Sequence, residues 1–215
     1  MEAALTVFYT HRLRGDLALL PRLFTFVRQL RAEHAAGMPA LLIDLGESCA
    51  PDAFPCDVTG GRSTLIALDA MGYDVANVST GLAEAERVKL ANNFLNMVLI
   101  DSHHTFGGGD WHIGLEPRSP DDLWIDVRPA AVTALADNHL RLAALEGGQV
   151  GVVRLAATDD VWRLVALGVF SVPDDTKPDA TIAGAVEFIL SEARYTQKRK
   201  DLNAGGQGAR DADEQ

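Results

Sequence analysis

Two arginines, Arg12 and Arg14, follow the first apolar segment of the chain, Leu5–Tyr9. The β-branched and aromatic residues of that segment predict a buried strand, so the arginines come where the strand ends. Residues i and i+2 of an extended chain point to one side. Guanidinium groups bind phosphate and carboxylate through paired hydrogen bonds. We therefore interpret Arg12 and Arg14 as candidates for an anion-binding site at the end of this strand.

Glu47 and Arg62 are the other candidates for this site. Glu47 follows a second apolar segment, Ala40–Leu45, and Arg62 begins a predicted helix, whose N-terminus would attract anions. Two alternatives remain open. The site binds phosphate or a carboxylate, or one of the two arginines after the first segment pairs with Glu47 and closes the site. Some partner is required, because a buried unpaired charge is costly.

Asp101, His103 and His104 begin a second polar cluster, DSHHTFGGGDWH at 101–112. Histidines and carboxylates are metal ligands, and together with Asp44 and Glu47 they could form a metal site. The cluster matches no known ligand spacing, and three consecutive glycines leave its geometry undefined. A polar loop with incidental histidines is therefore the favoured interpretation.

Alternating strands and helices must position these side chains. Apolar runs predict strands at 5–9, 40–45, 75–78 and 95–100, and helical spacing predicts helices at 17–34, 63–71 and 81–92. This alternation predicts the α/β class, with a mixed sheet flanked by helices.

The second half of the chain gives a weaker pattern. Residues 101–129 predict hairpins or a long irregular loop around a short strand at 123–127. Further strands are expected at 140–144, 149–155 and 162–172, with Gly147–Gly148 as a hairpin turn. A helix is expected at 181–195. From Gln197 the chain has almost no apolar residues, which predicts a disordered tail. The sequence thus predicts one domain, 1–196, and a tail, 197–215.

Three segments resemble the 5'-nucleotidase and UDP-sugar hydrolase branch of the calcineurin-like metallophosphoesterases. They are LTVFYTHRLRG at 5–15, LLIDLGESCAPD at 41–52 and TLIALDAMGYDVANVSTG at 64–81. Strands in that family end in Thr-Asn-Asp-x-His-Gly, in Gly-Asp and in Gly-Asn-His-Glu. The resemblance implies part of the family's αββα sandwich and, in an active member, two divalent metal ions such as Mn, Mg or Zn.

The metal ligands of the family are replaced at these positions. Arg12 and Arg14 stand where the family has aspartate and histidine, and Glu47 stands where it has the bridging aspartate. Thr80 and Gly81 lie in the Gly-Asn-His-Glu position, and no histidine follows His139, although the family's second half supplies further histidine ligands. The resemblance therefore implies a degenerate protein, a pseudoenzyme without catalytic residues or cofactor, because two-metal catalysis needs those ligands.

Three functions remain open at this point. The first is a binding or assembly module for a phosphorylated, nucleotide-like small molecule. The second is an active phosphoester hydrolase with a rearranged metal site, using Asp44, Glu47, Asp101, His103 and His104. The third is a structural subunit of a homo-oligomer or of a complex with a partner protein.

The composition limits the partners and the compartment. The chain has 215 residues, 47% of them hydrophobic, and a net charge of −11, which disfavours nucleic acid and anionic membranes. No apolar run approaches the roughly 20 residues of a membrane span, and the first residues do not resemble a signal peptide. We expect a cytoplasmic protein in which Cys49 and Cys56 are reduced, with a bridge across their short loop as the alternative.

Overall fold

The computed structural model describes residues 3–82, 84–91, 95–117, 122–159 and 161–210. The strands of these residues are β1 (Ala3–Thr10), β2 (Ala40–Asp44), β3 (Val75–Asn77), β4 (Val98–Ile100), β5 (Phe106–Gly108), β6 (Trp111–Gly114), β7 (Leu123–Ala130), β8 (Ala134–Ala136), β9 (His139–Ala143), β10 (Gln149–Thr158) and β11 (Val161–Ser171). The helices are α1 (Leu20–His34), α2 (Cys56–Thr59), α3 (Arg62–Ala70), α4 (Glu84–Ala91) and α5 (Ala180–Arg210).

The strands form two mixed sheets. Sheet A has the order β11-β10-β1-β2-β3-β4, and sheet B has the order β5-β6-β7-β9-β8. Strands β1 to β4 are parallel, whereas β10 and β11 are antiparallel to their neighbours. Helices lie between the successive parallel strands β1 to β4, as is usual for the crossovers that parallel pairing needs. The predicted α/β class with mixed sheets and flanking helices is confirmed.

The alternation of side chains along β1 shows how sheet A divides the core. Leu5, Val7 and Tyr9 belong to an apolar cluster shared with sheet B. Phe8 points the other way and belongs to a second cluster, to which α1, α3, α4 and α5 contribute. Because both faces of β1 and β2 are covered, these two strands are mainly apolar, as buried parallel strands are.

Helix α1 forms for the reasons that its sequence suggests. Leu20, Leu23, Val27 and Leu30 recur at helical spacing and are all buried. Pro21 lies in the first turn, where a missing backbone N–H costs nothing. The helix packs against sheet A and α5, and it thereby fixes the end of the loop that carries the two arginines.

Two expectations about the second half differ from the structure. Gly147 and Gly148 do not form a hairpin turn, because β9 belongs to sheet B and β10 to sheet A, so the glycines connect the sheets. Helix α5 continues to Arg210 and includes residues 197–210 of the stretch assigned to a disordered tail, while 211–215 lie outside the described residues. Among those described, no helix is long and apolar enough to cross a membrane.

Candidate functional site

The candidate site lies where β1, β2 and β3 end. These strands are parallel and adjacent, with Thr10 opposite Asp44 and Asp44 opposite Ala76. Their carboxyl ends therefore meet at one edge of sheet A, the edge at which open α/β sheets bind ligands. Residues 11–15, 46–48 and 78–81 follow the three strands.

Backbone hydrogen bonds join the first two of these loops beyond the strands. Arg12 N donates to Gly46 O at 3.2 Å, Arg14 N to Glu47 O at 2.9 Å and Gly15 N to Ser48 O at 2.8 Å. The loop after β1 is therefore held against the loop after β2 along its length.

The extended conformation predicted for Arg12 and Arg14 is wrong. Arg12 has a φ of 56°, Arg14 of 52° and Glu47 of 53°. All three lie in the left-handed region, which is unfavourable for residues with a Cβ and which occurs often at functional sites. The arginines are brought together by this turn and by the hydrogen bonds between the loops, and not by strand geometry.

Both arginines contact Glu47. Arg12 Nε lies 3.5 Å from the Glu47 carboxylate, and Arg14 Nη2 donates to Oε2 at 3.3 Å. Partial burial by itself would raise the pKa of Glu47, but the hydrogen bond from Arg14 and the charge of Arg12 lower the pKa below its ordinary value. Of the two alternatives, pairing with Glu47 is present. The pair is not buried, since Glu47 is 40% exposed and Arg14 is 62% exposed.

Glu146 is a further partner of Arg12 and was not a candidate from the sequence. Arg12 Nη1 donates to Glu146 Oε1 at 3.0 Å. The approach depends on Gly147, because a Cβ there would lie 2.9 Å from the carbonyl oxygen of Arg12. Two adjacent glycines were the one signal in the sequence that a close backbone contact occurs here.

His11 lies beneath this cluster and was also missed as a site residue. Its side chain is 1% exposed, and its Nδ1 lies 3.1 Å from the carbonyl oxygen of Leu145. Its Nε2 lies 3.5 Å from Glu47 Oε1. Burial lowers the pKa of His11 more than the charge of Glu47 raises it, so the site favours the neutral imidazole. The sequence feature that could have indicated His11 as a site residue was its position just after a predicted buried strand.

Asp44 is fully buried in a separate hydrogen-bond network. Its carboxylate accepts hydrogen bonds from Ser48 Oγ at 2.6 Å, Gly46 N at 3.1 Å and Thr10 Oγ1 at 3.2 Å. Burial raises its pKa to about 7, and these three hydrogen bonds only partly oppose that effect. Asp44 therefore supports the loop after β2 from within the core.

Asp101, His103 and His104 form a local cluster at the end of β4. Asp101 accepts hydrogen bonds from the backbone N–H groups of His103 and His104, from His104 Nδ1 at 2.8 Å and from Arg87 at 2.6 Å. These hydrogen bonds satisfy the carboxylate of Asp101, which thereby stabilises the loop after β4. Within the described ranges, no group of three or more His, Cys, Asp or Glu side chains is arranged to hold a metal. The rearranged metal site is therefore not assembled by these residues.

Arg62 does not join Arg12 and Arg14. It begins α3, as expected, but its guanidinium pairs with Glu86 of α4. It lines a different pocket, together with Ile189 and Tyr195 of α5. The expectation that Arg62 contributes to the same anion site is not met, because α3 directs its first side chain towards α4 and α5.

Arg14 lies between two open pockets at the edge of sheet A. One, of about 550 Å³, is also lined by Arg12, Arg22, Glu146 and Gly148. The other, of about 380 Å³, is lined by Glu47, Cys49, Pro51, Thr80 and Gly81. The exposed guanidinium of Arg14 is therefore accessible from both.

Cys49 and Cys56 form a disulfide, so the expectation of reduced thiols is wrong. The loop after Glu47 folds back and α2 begins at Cys56, which brings the two Cα atoms to 5.6 Å. That separation is within the range that a disulfide spans. Disulfides persist mainly in oxidising compartments, so this bridge does not favour the cytoplasmic location that was expected from the sequence.

The fold is that of the calcineurin-like phosphoesterases. The crystal structure of the calcineurin-like phosphoesterase YfkN from Bacillus subtilis superposes with a TM-score of 0.60 at 10% identity, over 92% of this chain and 100% of that one. The sulfate thiohydrolase SoxB of Thermus thermophilus, in complex with glycerol, gives a TM-score of 0.57 at 10% identity, over 87% of this chain and 60% of that one.

These likenesses confirm the resemblance found in the sequence at the level of fold alone. No family model matches the chain, and no curated protein matches it. The two-metal centre that the fold implies does not fit the residues present. Arg12 and Arg14, which have no lone pair to offer a cation, occupy the loop after β1 and direct their guanidinium groups at Glu47.

Proposed function

We propose that this protein binds a small anion at the edge of sheet A and does not hydrolyse phosphoesters by a two-metal mechanism. The observation that carries the proposal is Arg14. Its guanidinium contacts one carboxylate, is 62% exposed and lines both pockets at the edge where this fold places its ligands. A guanidinium presents five donors in a planar fork, which suits phosphate and carboxylate.

Replacement of metal charge by guanidinium charge supports the same proposal. The resemblance puts Glu47 at the position of the bridging aspartate, which in an active centre faces cations. Here Arg12 and Arg14 supply two fixed positive charges beside that carboxylate. Such charges can hold a phosphate, but they cannot activate a water molecule as a bound metal does.

The carboxylates of the site would compete with the ligand. Glu47 is bound by both arginines, and Glu146, at 75% exposed, is bound by Arg12. An anion must displace at least one of these contacts. The contacts are partly exposed and therefore weak, so a ligand with two negative charges can compete, and a phosphorylated small molecule meets that requirement.

Calorimetric titration with inorganic phosphate, sulfate, AMP and UMP tests the proposal. We expect binding of at least one of the phosphate compounds to the wild type and its loss in Arg14→Gln. Glu146→Gln should bind more tightly, because it removes one of the two carboxylates that contact Arg12. Arg28→Gln is the matched control, since Arg28 is an exposed arginine of α1 that pairs with Asp179 away from the site. Absence of binding by the wild type, or equal binding by Arg14→Gln, would refute the proposal.

A role in assembly is the second candidate, and a surface feature favours it. Strand β11 is an edge strand of sheet A and has several exposed large apolar side chains: Val161, Leu164, Val165, Leu167 and Val169. Exposed apolar edges of this kind are pairing surfaces. Sedimentation velocity over a range of concentrations should show association that Leu167→Lys reduces. A monomer at every concentration would exclude self-association through β11.

A further inference from the structure

We propose that the Cys49–Cys56 disulfide is a redox lock on the Arg14–Glu47 site. The proposal rests on the proposed anion-binding function of that site and names its regulation. In the oxidised form, the disulfide holds the loop after β1 and the loop after β2 in the arrangement that exposes Arg14. Reduction allows these two loops to move.

The position of the disulfide carries this inference. Cys49 follows Glu47 by two residues and lines the same pocket as Glu47 and Arg14. Cys56 lies next to Gly15, the residue after Arg14. A Cβ added to Gly15 would lie 2.7 Å from Cys56 Sγ. The disulfide therefore closes the segment that follows Glu47 and lies against the loop that carries Arg14.

The two loops are also joined by their backbones, so a change in one must affect the other. Arg14 N and Gly15 N donate to the carbonyl oxygens of Glu47 and Ser48 at 2.9 Å and 2.8 Å. Arg14 and Glu47 both have left-handed backbones. Such conformations persist only where the surrounding structure holds them, and the disulfide closes the loop immediately after Glu47.

The accessibility of the two sulfurs determines how reduction would proceed. Cys49 is half-buried at the pocket of about 380 Å³, whereas Cys56 is only 2% exposed. A thiolate of a dithiol reductant would attack Cys49 Sγ, and Cys56 would leave as a thiolate. The second thiol of the reductant then attacks its own mixed-disulfide sulfur and releases Cys49. Two electrons pass to the protein, the reductant becomes a disulfide, and its two protons are taken up by the cysteines.

Hydroxyl groups are in place to receive the reduced cysteines. Thr64 Oγ1 lies 3.2 Å from Cys49 Sγ and 3.9 Å from Cys56 Sγ, and Ser63 Oγ lies 3.6 Å from Cys49 Sγ. Both residues are in the first turn of α3. The released sulfurs therefore have hydrogen-bond partners without movement of the core, which makes a folded reduced state available.

Two-dimensional ¹H–¹⁵N spectra of the full chain, before and after reduction with dithiothreitol, test the lock without any ligand. We expect the amide signals of residues 12–15 and 47–48 to shift or broaden, while those of β10 stay. Cys49→Ser/Cys56→Ser should give the reduced spectrum with or without reductant. Unchanged loop signals would overturn the proposal, and so would unfolding on reduction, because the disulfide would then be a structural staple.

Titration with inorganic phosphate completes the test. We expect the reduced protein to bind phosphate about fivefold more weakly or worse, the lower end of usual coupling between sites. Equal affinity of the oxidised and reduced proteins for phosphate would overturn the proposal that the disulfide controls the site. If the oxidised protein binds no phosphate or other anion, the proposed function fails, and the spectra alone decide whether the disulfide locks the loops.

Discussion

Arg14 and Glu47 contact each other twice, through their side chains and through their backbones. Arg14 Nη2 lies 3.3 Å from Glu47 Oε2, and Arg14 N donates to Glu47 O at 2.9 Å. Both residues have left-handed φ angles, of 52° and 53°. The backbone contact fixes the position of both residues, so the side-chain pair can open towards a ligand without loss of the loop structure.

Arg14→Gln should change the stability of the fold little. The Arg14–Glu47 pair is about half exposed, and exposed ion pairs contribute about 0.2–1 kcal/mol. We expect the free energy of unfolding, measured by urea denaturation, to fall by less than about 1 kcal/mol. A buried pair broken from one side would cost about 3–5 kcal/mol, and a loss of that size would contradict the exposed site described here.

The protein should not hydrolyse phosphoesters with a metal. In the resemblance found in the sequence, Arg12, Arg14, Thr80 and Gly81 stand at ligand positions of the metallophosphoesterases, and loss of several ligands should abolish a two-metal mechanism. A screen with nucleotide and aryl phosphates in the presence of Mn, Mg, Zn or Co should show no turnover. Tightly bound stoichiometric metal, with turnover that disappears in Glu47→Ala, would prove the prediction wrong.

Asp44→Asn should alter the dependence of stability on pH. The pKa of Asp44 is raised from 3.8 to about 7 in the folded protein. Between these values the folded state binds more protons than the unfolded state, so this residue makes the free energy of unfolding fall as pH rises from about 4 to about 7. Asparagine does not titrate. As pH rises from about 4 to about 7, the free energy of unfolding of the variant should therefore increase relative to that of the wild type by up to roughly 4 kcal/mol.

Urea denaturation at several pH values measures this gain. Asp175→Asn removes one exposed carboxylate from the loop before α5 and controls for net charge. Parallel pH profiles for the wild type and Asp44→Asn would show that Asp44 is already ionised at pH 4 and that the hydrogen bonds from Ser48 and Thr10 outweigh its burial.

Gly147→Ala should destabilise the protein by forcing the connection between the sheets away from β1. A Cβ at this position would lie 2.9 Å from the carbonyl oxygen of Arg12, and overpacking of this kind costs about 1–3 kcal/mol. Gly184→Ala in α5 is the matched control, because a Cβ there meets nothing within 4 Å. That change should stabilise the helix by about 0.5–1 kcal/mol. Equal melting temperatures for the two variants would show that the connection is free to move.

Truncation after Tyr195 should leave the melting temperature nearly unchanged. The core contacts of α5 are made by Ile182, Val186 and Ile189, all of which are retained. Truncation removes the partly buried hydrogen bond from Lys200 Nζ to Val58 O at 3.2 Å, and a single hydrogen bond contributes only about 0.5–1.5 kcal/mol. A drop of many degrees would show that the end of α5 docks more tightly than these contacts indicate.

Local sequence patterns determined the elements of the fold. The apolar, β-branched and aromatic run Leu5–Tyr9 predicted a buried strand, and the helical spacing of Leu20, Leu23, Val27 and Leu30 predicted α1. These predictions succeed because strand and helix periods are properties of neighbouring residues. The segments that resemble the metallophosphoesterases then indicated how the elements assemble.

Only the tertiary structure decided the contacts of the candidate site. Glu146 reaches Arg12, and Leu145 reaches His11, across 134 residues of sequence, because β10 returns beside β1. The left-handed turns at the two arginines and the closure of Cys49 onto Cys56 likewise depend on how neighbouring loops meet. No periodicity encodes these contacts, since they arise from the register of strands that lie far apart in the chain.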